Sequence, residues 1–340
     1  MLLNDVHVSK DNIQEFHANW DEALSVCKDK GITDLILGGD LWQSRSSQTL
    51  STLLAVRDAL IKARRMEIDV TIAEGNHCKV DQESILGYGH VFDRYPGVLV
   101  IDEVATIPYG DNVTLYVMSY FPENGSFTKR FSEIVKGLNH TKVNILYIHE
   151  GINGALAHAS DNELPSKIFK DFDKVLVGHY HNRCRIEGTN IEYIGSSRQH
   201  NFGEDEEKGY TVLYTDGSTE FIKNKANLRY KVFELSDKEI RQDGFIREIR
   251  EFTENPKYLV KTKICCDTKE VAGVDKAKLL EIGVSKIDIV TKDTVVGNSQ
   301  SSGLDVKFDK SGIKKEYSGF CEQKEIKDVE FGLRYLDKIA

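Results

Sequence analysis

Asp5 and His7 stand one residue apart near the start of the chain, and His179 and His181 repeat that spacing near its middle. At the end of a strand, residues two positions apart point the same way, so each pair can grip one ion. Asp40 follows Gly38 and Gly39, which let the backbone approach an ion closely, and its carboxylate has two oxygens with which to bridge two ions. Asn76 offers a neutral carbonyl oxygen, His77 an adjacent imidazole, and His149 a further one. Oxygen and imidazole donors together suit manganese, iron or zinc better than calcium. Each motif alone is weak in a chain with 10 histidines, where a lone Gly-Asp or His-x-His is more often structural. Their conjunction, in order, is the signal.

The elements that must position these side chains are legible from apolar spacing. Ile13, Phe16, Trp20, Leu24 and Cys27 recur at intervals of three and four, which predicts a helix that Gly31 stops. Residues 35–37 read as a short buried strand running into Asp40, and a second helix carries Leu50, Leu53, Leu54 and Leu60. Residues 68–73 read as a strand delivering Asn76 and His77, 144–148 as one ending at His149, and 174–177 as one ending at His179 and His181. Each candidate ligand thus lies at the carboxyl end of an apolar strand, where open α/β sheets place their sites. Segments 113–119, 191–194 and 210–214 are β-rich and predict a second sheet. The expected class is α/β: two facing sheets with helices outside, an α/β sandwich. The pattern changes within 223–230, which divides the chain into a domain over 1–225, a smaller α+β module of β-α-β form over 226–300, and a helical region over 301–340. In that last region Ile326, Val329, Leu333 and Leu336 are spaced as an apolar stripe.

The order Asp-x-His, Gly-Asp, Gly-Asn-His, His and Gly-His-x-His resembles that of the calcineurin-like metallophosphoesterase superfamily, across roughly the first 225 residues. The resemblance implies two divalent ions, Mn2+ foremost with Mg2+, Fe2+ or Zn2+ as alternatives. Asp5, His7, Asp40 and His181 would hold one, and Asp40, Asn76, His149 and His179 the other. His77 would remain for catalysis, giving a hydrogen bond to the phosphoryl group and a proton to the leaving oxygen. Further segments, Tyr95-Pro96-Gly97-Val98 followed by Val100-Ile101-Asp102, residues 149–154, and Tyr193-Ile194-Gly195-Ser196 leading to Gly203 and Glu204, are similar to SbcD-type DNA repair and recombination nucleases, phage versions included. That closer resemblance implies DNA as substrate, a DNA-capping role for 226–300, an SMC-like, SbcC-type ABC ATPase docked on 301–340, and a homodimer. Three departures limit it. Cys78 replaces the Asp that usually follows Gly-Asn-His, removing a carboxylate that would orient His77. Leu41-Trp42-Gln43 stands where some members carry a His, so the choice between exonuclease and endonuclease does not carry over. Only four residues precede Asp5, which leaves a short first strand. The competing readings are a phosphatase or small-molecule or cyclic-nucleotide phosphodiesterase of the same superfamily, and a DNA-binding subunit with weakened catalysis.

Composition bounds these readings. With 340 residues, 40% hydrophobic and 29% charged, the chain can bury a core and is not of disordered type. No apolar run approaches the roughly 20 residues of a membrane span, and no signal segment opens the chain, so a cytoplasmic, non-membrane protein is expected. The six cysteines form no CxxC pair and read as reduced thiols. A net charge of -9 excludes a general nucleic-acid coat, so any DNA contact must be local. Arg45 and Arg198, nearest the candidate ligands, are the expected contacts, with Arg57, Lys62, Arg64 and Arg65, Arg183 and Arg185, and Lys223, Lys225, Arg229 and Lys231 as further basic groups.

Overall fold

The chain opens on β1 (Leu2–Leu3), two residues long and buried, which pairs in parallel with β2 (Asp34–Gly38) through Leu2 against Ile36. Between them lies α1 (Ile13–Lys30), burying Phe16, Trp20, Ala23, Leu24 and Cys27 at helical spacing and ending at Gly31 in the left-handed conformation. Helix α2 (Leu50–Arg65) leads to β3 (Asp69–Ala73), and β4 (Val98–Ile101) completes this side of the sheet. The face of α2 differs from the leucine pattern. Thr52, Ala55, Val56, Ala59, Leu60 and Ala63 are buried, while Leu50 is 71% exposed. Small residues line the buried face because α1 packs closely there, with the Trp20 indole donating to the Ala59 carbonyl at 2.9 Å.

The second sheet begins with β5 (Val104–Tyr109), an edge strand that accommodates Pro108, and β6 (Val113–Met118). Helix α3 (Ser126–Lys136) follows, then β7 (Val143–His149), β8 (Lys174–Gly178), β9 (Cys184–Arg185) and β10 (Ile191–Tyr193), in the order β5-β6-β7-β8-β10-β9. Alternation assigns the core layers. Val113, Leu115, Val117, Ile145, Tyr147 and Leu176 face the first sheet with Leu2, Ile36 and Ala73, whereas Tyr116, Met118, Leu146, Ile148, Val175 and Val177 face outward to Phe127 and Phe131 of α3. Both faces of these strands are covered, which is why they read as unbroken apolar runs.

β11 (Gly209–Leu213) and β12 (Thr219–Lys223) return to the first sheet and give it the order β12-β11-β1-β2-β3-β4. The expectation that 210–214 joins the second sheet is therefore corrected. β11 pairs antiparallel with β1 through Leu2 against Thr211 and so covers the flank of the shortest strand. The result is an α/β sandwich of two six-stranded sheets with helices outside.

A third sheet follows, with three parallel strands: β13 (Arg229–Ser236), β14 (Tyr258–Cys266) and β15 (Lys286–Thr291), connected by α4 (Asp243–Thr253) and α5 (Lys276–Glu281). The strand 229–236 and the helix 243–253 add to the β-α-β form read from sequence. The computed structural model describes residues 1–122, 126–156, 163–236 and 238–291, and beyond these Tyr317, Ser318, Cys321, Val329 and Leu333, all helical. Of the C-terminal apolar stripe, Ile326 and Leu336 lie outside the described residues. Among the described residues, no helix is long and apolar enough to cross a membrane.

Candidate active site

The carboxyl ends of β1, β2 and β3 in one sheet meet those of β7 and β8 in the other, and all seven candidate ligands gather there. The backbone is bent sharply to present them. Asp5 (φ 49°), His7 (φ 50°), Asp40 (φ 45°) and His179 (φ 89°) all take the left-handed conformation that non-glycine residues avoid, and the one other such residue among the described residues, Glu67, lies elsewhere. Strain of this kind persists where surrounding structure enforces it, and it clusters at functional sites. Gly75 permits a close approach: a Cβ there would collide with Asp40 Oδ1 and stand 2.8 Å from His149 Nε2.

Among the described residues, donor atoms converge in three overlapping groups. Asp5, His7 and His181 form the first, Asp40, His149 and His179 the second, and His7, Asp40 and His77 a third that links them. His7 Nε2 lies 3.1 Å from His181 Nε2 and 3.8 Å from Asp40 Oδ2, and His181 Nε2 lies 3.8 Å from Asp5 Oδ1. His149 Nε2 lies 3.3 Å from Asp40 Oδ2 and 3.8 Å from Asp5 Oδ1. Asn76 Oδ1 faces His179 Nδ1 at 3.2 Å and Asp40 Oδ2 at 3.1 Å, so two oxygen acceptors confront each other unless the amide turns over and donates to Asp40, while His179 Nδ1 donates or accepts according to its tautomer. Asp5 Oδ1 is buried with no hydrogen-bond partner. Facing acceptors and an orphaned buried carboxylate oxygen are what cations shared between these groups would satisfy, and imidazole, carboxylate and carboxamide donors fit divalent metals.

Burial and mutual repulsion set the charge of the donors. Burial pushes His7 down to about 3 and His179 down to about 4, keeping both imidazoles neutral and able to ligate. Burial also works against a charged His149, but Asp40 and Asp5 outweigh it and raise this imidazole to about 9. Burial likewise opposes the Asp40 carboxylate, yet His149 and His7 hold it below the usual range, whereas burial dominates at Asp5 and raises it.

Outer partners fix the orientation of the rings. His149 Nδ1 donates to the Gly38 carbonyl at 3.1 Å, and His181 Nδ1 to Glu204 Oε1 at 2.8 Å, the usual device for setting a ligating tautomer. His77 has its backbone N–H on Asp40 Oδ1 at 2.8 Å, and its Nδ1 lies 2.8 Å from the Gln43 carbonyl, which can only accept. Nδ1 therefore carries a proton and Nε2 faces the pocket, 4.0 Å from Asp40 Oδ2. The carbonyl of Gln43 supplies the orientation that sequence reasoning assigned to a missing acid. Cys78 is buried in the core behind, with burial pushing its thiol up, and takes no part.

The pocket, about 320 Å³, is lined by His7, Asp40, Asn76, His179 and His181, with Gln43, Arg45, His77, His200 and Asn201 around them. Arg45 is exposed at its rim with a guanidinium nitrogen against the Asn76 carboxamide. Arg198 is not at the rim, and its reading as a DNA contact is corrected: it is 4% exposed beneath the site and donates to the Val6 carbonyl at 3.1 Å. His200 escaped the sequence reading, because a histidine inside an irregular loop follows no periodicity. Its Nε2 lies 2.7 Å from the Asp5 carbonyl and its ring 5.1 Å from that of His7.

No family model matches the chain. It is 25% identical over 219 residues to "Putative phosphoesterase 244L" of Invertebrate iridescent virus 6, covering 63% of this chain and 74% of the viral protein. It is 24% identical over 209 residues to the SbcD component of the SbcCD nuclease of Staphylococcus saprophyticus, covering 53% of this chain and 54% of that protein. The chain thus spans about half the length of the bacterial relative. These names and the clustered donors support a metallophosphoesterase-type protein.

Proposed function

We propose that the chain hydrolyses phosphodiester bonds of DNA with two divalent ions, Mn2+ foremost, as an SbcD-type nuclease subunit working with an SMC-like ABC ATPase. The observation that carries the reading is the two donor groups linked through His7 and Asp40, with His77 Nε2 aimed into the same pocket. Asp5, His7, Asp40 and His181 would hold one ion and Asp40, Asn76, His149 and His179 the other. Two bound ions acidify water and neutralise phosphoryl oxygens.

The chain's own contribution is positional. His77, held by the Gln43 carbonyl through Nδ1, presents Nε2 to the phosphoryl group, and as an imidazolium it gives the Nε2 proton to the leaving oxygen as the P–O bond breaks. Arg45 at the rim offers a cation to the phosphate backbone. Region 226–300 would cap the DNA, region 301–340 would dock the ATPase, and two copies would pair, as for the nucleases the sequence resembles.

The test is hydrolysis of linear single- and double-stranded DNA beside a small nucleotide ester, with Mn2+ and with chelator. Mn2+-dependent DNA cleavage is expected, and His77→Ala should lower kcat by about 10²- to 10⁴-fold with metal content unchanged. Ester hydrolysis with DNA intact, with and without the co-expressed ATPase, would assign the chain to the phosphatases instead.

A further inference from the structure

β1 supplies only two residues of sheet, yet the Asp5–Val6–His7 turn that follows carries two ligands in left-handed conformations. Something other than the sheet must hold it. The carbonyls of residues 4 to 7 show what does. Asn4 O accepts from the Ser197 N–H at 2.9 Å, Asp5 O from His200 Nε2 at 2.7 Å, Val6 O from Arg198 Nη2 at 3.1 Å, and His7 O from Asn12 Nδ2 at 2.8 Å. Three of these donors come from one segment, 197–200, in the loop between β10 and β11. The same loop returns to the site through Glu204, which accepts from His181 Nδ1 at 2.8 Å and from the His200 N–H at 3.0 Å. Asp5 and His181 are therefore gripped by 197–204, while His7 meets this loop through its ring against His200, its N–H donating to the Asp40 carbonyl at 2.9 Å and its carbonyl accepting from Asn12. The second cluster depends on it less: His149 is oriented by Gly38, and the Asp40 and Asn76 turns belong to β2 and β3.

We infer that His200, with Arg198 beside it, is a positioning residue for one ion of the pair, the ion held by Asp5, His7 and His181. This rests on the two-metal reading above. His200 acts through Asp5: its donated hydrogen bond fixes the carbonyl of the strained turn, and its ring packs against those of both His7 and His181, at 5.1 Å and 4.9 Å between centroids. The geometry makes the two ions unequal in what sustains them.

The experiment titrates Mn2+ into the full-length, metal-stripped protein by calorimetry and reads electron paramagnetic resonance at two equivalents, where two ions bridged by a carboxylate give a spin-coupled spectrum and separate ions do not. His200→Phe keeps an aromatic ring and removes the donor, and His200→Gln restores an N–H where Nε2 stood. His200→Phe should bind one ion as wild type does and the other about ten- to a hundredfold more weakly, with loss of the coupled spectrum. His200→Gln should recover both. If His200→Phe does not fold, His200→Asn, whose shorter amide falls short of Asp5 O, takes its place. Two ions bound with wild-type affinity and coupling in the donor-deficient variant would overturn the inference, as would failure of His200→Gln to recover them. A wild-type protein that takes up fewer than two ions would instead remove the two-metal reading, and the inference with it.

Discussion

Four candidate ligand imidazoles share one largely buried space with Asp5 and Asp40, so a proton in the metal-free chain settles where these two carboxylates are nearest. That place is His149, 3.3 Å from Asp40 and 3.8 Å from Asp5. Its imidazole rises from 6.5 to about 9 on folding. A raised value means that the stabilisation it contributes is fully present below pH 6.5 and is lost as pH rises through about 9. On the two-metal reading, a bound ion would take the place of this proton, because a ligating imidazole must be neutral. Mn2+ binding at pH 7.5 should therefore release protons, from His149 and from His181, whose imidazole Glu204 and Asp5 also raise against burial, seen as a buffer-dependent enthalpy in calorimetry, and the His149 release should vanish above about pH 10. A buffer-independent enthalpy at pH 7.5 would contradict the assignment. At this scale the sequence was informative about identity and poor about partners. Asp-x-His and Gly-His-x-His name the donors, but the Gln43 carbonyl behind His77 has no side-chain signature, and Arg198 looks like a surface cation until its burial is known.

At the scale of elements, the strands carrying the ligands were legible because both of their faces are buried, giving short apolar runs that end abruptly in glycine-containing turns. Sheet membership was not, because pairing is decided between strands far apart in sequence: β11 joins β1 across some 200 residues, and the same apolar alternation would serve either sheet. The strand 229–236 was hidden by charge, with Arg229, Lys231 and Glu234 among its apolar residues. The turns themselves are the sharpest prediction. Gly39 adopts φ 93°, and a Cβ there would collide with His149 Nδ1 and lie 3.1 Å from Gly75 Cα. Gly39→Ala adds about 1–2 kcal/mol of left-handed strain and a steric displacement of His149 from Gly38 O. Urea unfolding of the chelated protein should show a loss of at least about 2 kcal/mol, and Mn2+ affinity should fall at least about tenfold. Unchanged stability would mean that the β2 turn relaxes freely.

At the scale of the whole molecule, charge and the attachment of the third sheet would decide how the site meets the DNA proposed as its substrate. Most basic groups that sequence offered as DNA contacts are engaged within the chain: Arg57 with Asp58 at 2.7 Å, Lys62 with Asp21 at 2.6 Å, Arg64 with Asp69 at 3.2 Å, Arg183 with Glu192 at 2.8 Å, and Lys223 with Glu207 at 2.5 Å. This leaves Arg45 as the cation at the pocket itself, and a chain of net charge -9 would meet the proposed phosphate backbone only locally. The link to the third sheet is not a loose tether. Glu22 of α1 accepts from the backbone N–H groups of Lys225 and Ala226, from Asn224 Nδ2 at 2.6 Å and from the Tyr210 hydroxyl at 2.9 Å, while Glu15 accepts from the Leu228 N–H and from Asn227. Gln199 then pairs through both amide atoms with the backbone of Tyr230 at the start of β13, at 2.8 and 3.0 Å. The third sheet is thus seated on the loop that holds the Asp5 turn. Glu22→Ala leaves these donors without their acceptor, a cost of about 1–3 kcal/mol concentrated at 224–226. Limited proteolysis should then cut within 224–228 roughly tenfold or more faster than in wild type, while Mn2+ uptake stays at two equivalents because the Gln199 and His200 contacts remain. A linker that resists protease as well as wild type would show that Gln199 and Glu15 suffice to hold the third sheet, and a loss of Mn2+ would show that the α1 carboxylates reach the metal centre through the same loop.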